Sequence, residues 1–316
     1  MISFNSQYLN KSFLLPILCI TAFFLFNWLG SNVLVAQNFI PKQTHEVKQI
    51  LDITQPETHY LYQDLHFELS PQQGFYTDSV ELKLLNKHSG WNYYFNVQGK
   101  KPVDWVFPEE GITLKASNVI RILAIQSETQ DTVEGFYTYL LNQEPSLPVL
   151  SLIFEPSDFF SGDSGIYVKG SNGITGYCRT TPYNWNQDWE RPVQMTLFEQ
   201  DGKTSTNVAF SIPLGVKIGG GCTRLYDQKS LDIYFRSDYG LSRLNYPLFS
   251  DKPITEFNRL SLRNGGQDWY RAMIRNTFSQ ELVKGRMDLG YQSYKYVAVY
   301  FNGQYWGIHI LREKQN

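Results

Sequence analysis

Short stretches of alternating apolar and polar residues, separated by turn residues, constrain the fold of this chain more than any other feature. Between residues 64 and 143 they follow one another closely, as in VELKL, YYFNV and IRILAIQ, and no long helical stripe interrupts them. Alternation with period two is typical of strands that bury one face. Several such strands in about 80 residues favour a small antiparallel β-sandwich. The aromatic content of 16% suits the same β-rich interpretation.

A second pattern begins near Leu147, after the two prolines of NQEPSLPVL. PVLSLIF, ERPVQMTLFEQDGK and NVAFSIPLGVKIGGGC predict strands, and Asp201 and Gly202 offer a turn between the last two. Near the end of the chain, YKYVAVYFNGQYWGIHILRE predicts a hairpin that turns at Asn302 and Gly303. We therefore expect a mostly antiparallel sheet in this half.

One helix is predicted from residue 267. The apolar residues at 270, 273, 274, 278 and 282 share one helical face, Asp268 is the expected cap, and Gly285 offers a stop. With this helix the whole chain is predicted to be α+β.

The N-terminus predicts export. Residues 1–11 are polar with one side-chain cation, and the segment that follows runs to Ala36 without a charge. This order is typical of a signal peptide, and the small-residue exit before Gln37 allows cleavage there. An uncleaved membrane anchor is the alternative, which we favour less because Pro16 and Gly30 interrupt the apolar run. Residues 37–63 are interpreted as a linker.

Charge and cysteine content narrow the class of protein. Lys+Arg 28 against Asp+Glu 30 gives a net charge of -2, so the chain lacks the basic balance typical of nucleic-acid binding. A membrane is expected as a partner only through an uncleaved N-terminal segment. Cys178 and Cys222 remain after cleavage and are free to form a disulfide outside the cell, although the sequence does not show that they meet. Without a CxxC motif or clustered histidines, a zinc site is not expected.

The stretch KIGGGCTRLYDQKSLDIYF is the strongest candidate for chemistry. Gly219, Gly220 and Gly221 precede an alternating strand in which Lys229 shares its face with apolar residues. A buried ammonium requires a partner, and Glu281 on the predicted helix is the expected anion. A Lys–Glu pair beneath a glycine-rich turn is how protein kinases hold ATP phosphates. A bulged hairpin accounts for the glycines equally well.

Six segments of the second half resemble, in order, the first half of the CotH family of spore coat proteins and atypical protein kinases. They are LPVLSLIFEPSDFFSGDSGIYVKG, NWNQDWERPVQMTLFEQDG, GVKIGGGCTRLYDQKSLDIYFRSDYG, LNYPLF, LSLRNGGQDWYRAMIRNTFSQELV and YFNGQYWGIHILREK, between about Leu147 and Lys314. The resemblance implies a secreted or surface domain that transfers phosphate from ATP to serine on protein partners, with a divalent metal.

The resemblance also assigns roles to residues. Lys229 matches the family's Lys-Ser-Phe strand and is expected to contact the ATP phosphates, with Glu281 as its ion-pair partner. The glycine turn and Arg224 are expected to bind the same phosphates. Glu313 ends a strand where kinase hinges hold adenine and is expected beside the base. Thr223 stands where the family's Gly-x-x-Ser-Arg turn has serine, which keeps the hydroxyl.

The family's metal-binding and catalytic acidic residues are expected beyond Asn316. Residues 147–316 are therefore interpreted as a kinase-like N-lobe truncated before its C-lobe, inactive as an isolated fragment. The alternative is a cell-surface binding or scaffold protein. A carbohydrate hydrolase is disfavoured because no convincing pair of catalytic carboxylates accompanies the sandwich.

Residues 64–143 resemble the β-sandwich domain found at the C-terminus of chitobiase and hexosaminidase enzymes. The likeness lies in SPQQGFYTDSVELKL, YYFNVQGKKP, IRILAIQ and GFYTYLL, while Phe95 to Gly99 depart from the family's Tyr-Thr-x-Asp-Gly turn. The resemblance implies an accessory role with carbohydrate as a partner. A spacer between the export segment and the second half is the other interpretation, and the one we favour.

Overall fold

The computed structural model describes residues 67–102, 105–200 and 206–314. They lie in one compact unit that spans residues 53–316. The described residues form 18 strands and two short α-helices, so the β-rich α+β class is confirmed in this coarse form. No helix in this part of the chain is long and apolar enough to cross a bilayer. The predicted export segment, residues 1–36, and the linker, residues 37–63, lie outside the described residues.

Two sheets form the first part of the unit. One has the order β1-β3-β5 and the other β2-β7-β6-β4, and both contribute to a single apolar cluster that includes Leu82, Ile122 and Tyr139. Strand β3 alternates buried and exposed residues, as its sequence predicts. The strands are β1 (Glu68–Ser70), β2 (Gly74–Tyr76), β3 (Val80–Leu85), β4 (Trp91–Val97), β5 (Ile112–Leu114), β6 (Asn118–Gln126) and β7 (Thr132–Leu141).

A closed barrel of seven strands forms the second part, with the order β11-β12-β13-β16-β18-β17-β8. Strand β8 closes it by pairing antiparallel with β11 and parallel with β17. The elements are β8 (Val149–Ile153), α1 (Pro156–Phe160), β9 (Ile174–Gly176), β10 (Arg179–Tyr183), β11 (Arg191–Gln200), β12 (Thr206–Ile218), β13 (Leu231–Tyr234), β14 (Leu244–Asn245), β15 (Glu256–Phe257), β16 (Arg259–Arg263), α2 (Arg275–Val283), β17 (Tyr294–Phe301) and β18 (Gln304–Glu313). The predicted antiparallel sheet is thus rolled into a barrel around an apolar core.

Both predicted hairpins of this half form. Strands β11 and β12 pair antiparallel, although the expected turn at Asp201 and Gly202 lies outside the described residues. Strands β17 and β18 turn at Asn302 and Gly303, whose φ angles of 47° and 82° match a tight hairpin turn. The Asn302 side chain also bonds both backbone groups of Phe154, each at 3.0 Å, and so ties this turn to the end of β8.

The predicted helix is shorter and faces the other way. Residues 266–268 form a 3-10 turn, and α2 begins only at Arg275. Tyr270, Phe278 and Leu282, expected to face inward, are 61%, 58% and 45% exposed. The buried residue is Thr277, whose hydroxyl lies 2.7 Å from the Tyr296 hydroxyl on β17. Polar contacts with the sheet, rather than apolar burial, therefore orient α2.

Polar and apolar contacts join the sandwich to the barrel. Arg121 on β6 pairs with Glu134 at 2.9 Å and approaches Glu155, which follows β8, at 3.7 Å. The buried hydroxyls of Thr138 and Ser151 lie 2.8 Å apart. Together with a small shared apolar cluster, these contacts hold β8 against the sandwich.

Candidate functional site

A cleft of about 490 Å³ lies on the outer face of the barrel. Register places Asp232, Ser261 and Arg312 in one row across β13, β16 and β18, one residue out of step with the core residues Leu231, Leu262 and Leu311. Neighbouring residues of a strand point to opposite faces, so the row faces away from the core. The cleft is lined by Gly220, Gly221, Cys222, Thr223, Ser230, Asp232, Ser261, Arg263, Gln267, Gln292, Arg312, Glu313 and Lys314.

The glycine turn forms one wall of this cleft. At Gly219 a Cβ atom would lie 3.0 Å from Asp232 Oδ1, and Gly220 has a φ of 82°, which favours glycine. Gly219 is buried and donates its N–H to the Ser230 carbonyl, whereas Gly220 and Gly221 are exposed beside the cleft. Exposed backbone N–H groups in such a turn suit an anionic ligand.

A disulfide anchors the residue after the turn. Cys222 is bonded to Cys178, which lies between β9 and β10, so the pairing that the sequence left open is present. The bond ties the glycine turn to the β9–β10 hairpin across a sequence separation of 44 residues.

Lys229 is buried, as its strand parity predicts, but its partners differ from the expected one. Its Nζ donates to the Tyr226 carbonyl at 2.7 Å and lies over the rings of Trp185 and Tyr167, at 4.1 and 5.3 Å from their centroids. Burial lowers the pKa of Lys229 to about 8, and Asp227 opposes that shift. Lys229 is not among the residues that line the cleft.

The predicted Lys229–Glu281 pair does not form. The Glu281 side chain is 42% exposed, and its carboxylate lies 3.8 Å from Nζ of Lys284, the residue that follows α2. Glu281 lies one helical turn after Thr277, on the face that meets β17, and its carboxylate accepts a hydrogen bond from the Tyr294 hydroxyl on that strand instead of meeting Lys229. The expectation of this ion pair was wrong.

Arg224 supports the turn from behind. Its Nε donates to the Gly220 carbonyl at 2.7 Å, and its Nη1 donates to the Trp185 carbonyl at 3.2 Å. Burial lowers the pKa of Arg224, while Asp232 and Asp188 oppose the shift. Both contacts orient the glycine turn, and Arg224 does not line the cleft.

Glu313 lines the same cleft, at the end of β18. Its carboxylate accepts hydrogen bonds from Lys252 Nζ at 2.6 Å and from the Ser293 N–H at 3.0 Å. The side chain is thus engaged within the protein. Glu313 also lines the cleft, and its place beside the base stays a prediction.

Two arginines of the cleft escaped the sequence analysis. Arg263 ends β16 and Arg312 lies near the end of β18, and each has a buried Nε without a hydrogen-bond partner among the described residues. Burial and the charge of Arg263 lower the pKa of Arg312 to about 10, opposed by Asp232. In the sequence, the two arginines are marked only by their alternation with the apolar residues Leu262 and Leu311. This alternation predicts that each arginine faces outward, but it does not predict that β16 and β18 lie side by side.

The groups of the cleft suit phosphate better than a metal ion. Asp232 pairs with Lys314 and Glu313 with Lys252, so both carboxylates of the cleft already have cations. Among the described residues, no group of three or more His, Cys, Asp and Glu side chains is placed to hold a metal. Arginine side chains and glycine N–H groups are donors that suit anionic oxygens, such as those of a phosphate group. The divalent metal expected from the resemblance has no ligand set in this part of the chain.

Comparison with known proteins identifies one family. The model of the CotH kinase protein family matches residues 216–316, about a third of the chain. The match begins in β12 and includes the glycine turn, both arginines of the cleft and α2, and it supports the CotH assignment for this segment. No curated protein matches the chain.

Proposed function

We propose that the barrel is the nucleotide-binding lobe of an exported CotH-type protein kinase, which uses ATP to phosphorylate serine on surface or coat proteins. One observation carries the proposal: the cleft in the CotH-matched segment combines a glycine turn, a strand end suited to a kinase hinge and two arginines whose buried Nε atoms have no hydrogen-bond partner among the described residues. Each group corresponds to a part of a nucleotide, namely phosphates at the turn and the arginines, and the base near Glu313.

The order of elements supports this proposal. In protein kinases a glycine-rich loop covers the phosphates, a cation follows on the third strand, and a helix follows that strand. Here the glycine turn joins β12 to β13, β16 is the next barrel strand, and α2 follows β16. In this order Arg263, at the end of β16, occupies the place of the kinase cation, whereas Lys229 lies one strand too early.

Phosphoryl transfer depends largely on positioning and electrostatic stabilisation. In the proposed complex the N–H groups of Gly220 and Gly221 and the cleft cations orient the phosphates. A bound divalent metal would supply further neutralisation of phosphate charge. We assign no acid, base or metal ligand to the described residues, because no acidic cluster lies within them.

ATP binding to the full chain tests the proposal. We expect calorimetry to detect ATP binding, and Gly220→Ala to weaken it at least tenfold, because a Cβ there is strained by the φ of 82° and lies 2.6 Å from Thr223 Oγ1. Gly162→Ala is the matched control, since a Cβ at Gly162 meets nothing within 4 Å. Absence of ATP binding by the folded wild-type chain would refute the proposal and favour the scaffold alternative.

A further inference from the structure

The arginines of the cleft are neighbours only through strand pairing. In the antiparallel pair of β16 and β18, Ser261 lies opposite Arg312 and Arg263 lies opposite Ile310. Arg263 and Arg312 are therefore diagonal neighbours on the outer face, with Cα atoms about 7–8 Å apart in such a pair. Both side chains line the same cleft.

Each guanidinium is only partly satisfied. Arg312 donates through Nη1 to Asn276 Oδ1 at 2.9 Å, while its Nε is buried without an acceptor. Arg263 has a buried Nε without an acceptor, and the described residues provide it with neither a carboxylate nor a side-chain hydrogen bond. Partly buried cations normally have an anion or a hydrogen-bond acceptor beside them, and a lack of both leaves a desolvation cost.

The nearby carboxylates do not supply that anion. Asp232 pairs with Lys314. Asp268 accepts from Arg275 Nε at 3.1 Å and from the Arg275 N–H at 3.1 Å. Among the described residues neither arginine has a carboxylate within salt-bridge distance, although the charge of Asp232 acts on Arg312 from farther away.

We propose that Arg263 and Arg312 form a two-arginine site that binds the phosphate oxygens of the ligand, in place of the predicted Lys229. This deepens the proposed function and rests on it for the identity of the ligand as a nucleotide. A guanidinium group binds phosphate through two parallel N–H donors. A polyphosphate carries oxygens on successive phosphorus atoms, so one ligand can bind both arginines at once. The nearby Gly220 and Gly221 N–H groups complete the site on its opposite wall.

A neighbouring pocket provides the matched control. This pocket, of about 390 Å³, shares Arg263 and Gln267 with the cleft and also contains Arg275. Arg275 differs from the proposed pair because its side chain is 63% exposed and paired with Asp268. If general positive charge attracts the ligand, loss of Arg275 will matter as much as loss of Arg263.

The experiment compares ATP, sodium tripolyphosphate and adenosine by calorimetry on the full chain. We expect Arg263→Met and Arg312→Met each to weaken ATP and tripolyphosphate binding at least tenfold, and to leave any adenosine binding within twofold. Arg275→Met is expected to change all three affinities less than threefold. Circular dichroism and thermal melting establish that each variant is folded, and the more conservative Arg263→Lys and Arg312→Lys replace any methionine variant that is not.

The outcomes separate this inference from the proposed function. Unchanged ATP binding in folded Arg263 and Arg312 variants would overturn the arginine site and leave nucleotide binding intact. Tripolyphosphate binding that depends on both arginines, without any contribution from adenosine, would support the site and contradict a nucleotide ligand. Equal losses in Arg275→Met would overturn the site, as would failure of the wild-type chain to bind either polyphosphate.

Discussion

Replacing Lys229 with methionine removes a buried ammonium while keeping a side chain of similar length. Burial lowers the pKa of Lys229 to about 8 in the folded protein, from 10.5 in the unfolded chain. The folded state therefore disfavours protonation of Lys229. The buried ammonium lowers the stability of the fold by its full amount below pH 8, and this loss disappears above pH 10.5. At about 1.36 kcal/mol per pKa unit, the free energy of unfolding of wild type relative to Lys229→Met should rise by about 3 kcal/mol across that interval.

Aromatic contacts reduce this rise without reversing it. Lys229 Nζ lies 4.1 Å from the Trp185 ring centroid, and a cation over an aromatic ring gains about 0.5–2 kcal/mol. This contact favours the charged form, so it opposes desolvation. The hydrogen bond to the Tyr226 carbonyl is available to both ammonium and amine. Desolvation remains the larger effect, and a net rise of about 1–3 kcal/mol is expected.

Urea unfolding between pH 7.5 and 10.5, followed by tryptophan fluorescence, measures this difference. Subtraction of the variant removes the titration of the tyrosines that both proteins share. Lys217→Met is the control, because Lys217 Nζ pairs with Asp188 at 2.9 Å and its side chain is 18% exposed. A wild-type minus Lys229→Met difference that stays flat or falls with pH would refute the assignment of Lys229 as a desolvated cation. A Lys229→Met variant of unchanged stability that no longer binds ATP, and whose ATP binding a stabilising osmolyte does not recover, would support the predicted phosphate contact of Lys229.

Three further predictions concern single side chains. Cys178→Ser opens the disulfide to Cys222 and should lower the free energy of unfolding by about 4 kcal/mol, from the entropy of a loop of 44 residues; equal urea midpoints with and without the bond would contradict this. Glu281→Gln should change stability by less than about 0.5 kcal/mol in the same assay, because its ion pair with Lys284 is largely exposed and the amide oxygen still accepts from the Tyr294 hydroxyl; a loss above about 2 kcal/mol would contradict this. Trp105→Ala should reduce retention of the full chain on insoluble chitin if the sandwich binds carbohydrate, since Trp105 is 54% exposed; Tyr177→Ala, with 96% exposure in the β9–β10 hairpin outside the sandwich, is the control, and equal retention of all three proteins would favour the spacer.

Strand parity and turn chemistry were readable from the sequence because both are local. Parity placed Lys229 inward, and Asn302 with Gly303 marked their hairpin. Parity does not reveal what a buried lysine meets, and here two rings and a carbonyl replace the expected carboxylate. The predicted orientation of the helix was wrong for a related reason. The period of the sequence identifies an apolar face, but it does not show that the face with Thr277 packs against the sheet.

Long-range register was the missing information at the site. Arg263 and Arg312 become neighbours because β16 pairs with β18 after an intervening helix and strand, and no local pattern specifies which outward residues then share a cleft. Closure of the barrel was equally hidden, since it depends on β8 meeting β17 in parallel from the far end of the domain. The sequence therefore predicts the glycine turn of the site, whereas only the strand pairing of the fold brings Arg263 and Arg312 together beside it.

Two groups of residues should affect ATP binding in different ways. One group holds the glycine turn in place, and the other consists of the arginines that line the cleft. Lys229, Arg224 and Cys222 hold the segment from Gly220 to Tyr226 through a carbonyl contact, a second carbonyl contact and a disulfide. Loss of such an anchor multiplies the ATP affinity by the fraction of molecules that keep the turn in place, so binding weakens, and conditions that restore the folded turn should restore binding. Loss of Arg263 removes a direct contact, so the same conditions should not rescue it. A stabilising osmolyte should thus recover ATP affinity in Lys229→Met and leave Arg263→Met weak, and equal recovery of both would show that the arginine is also an anchor.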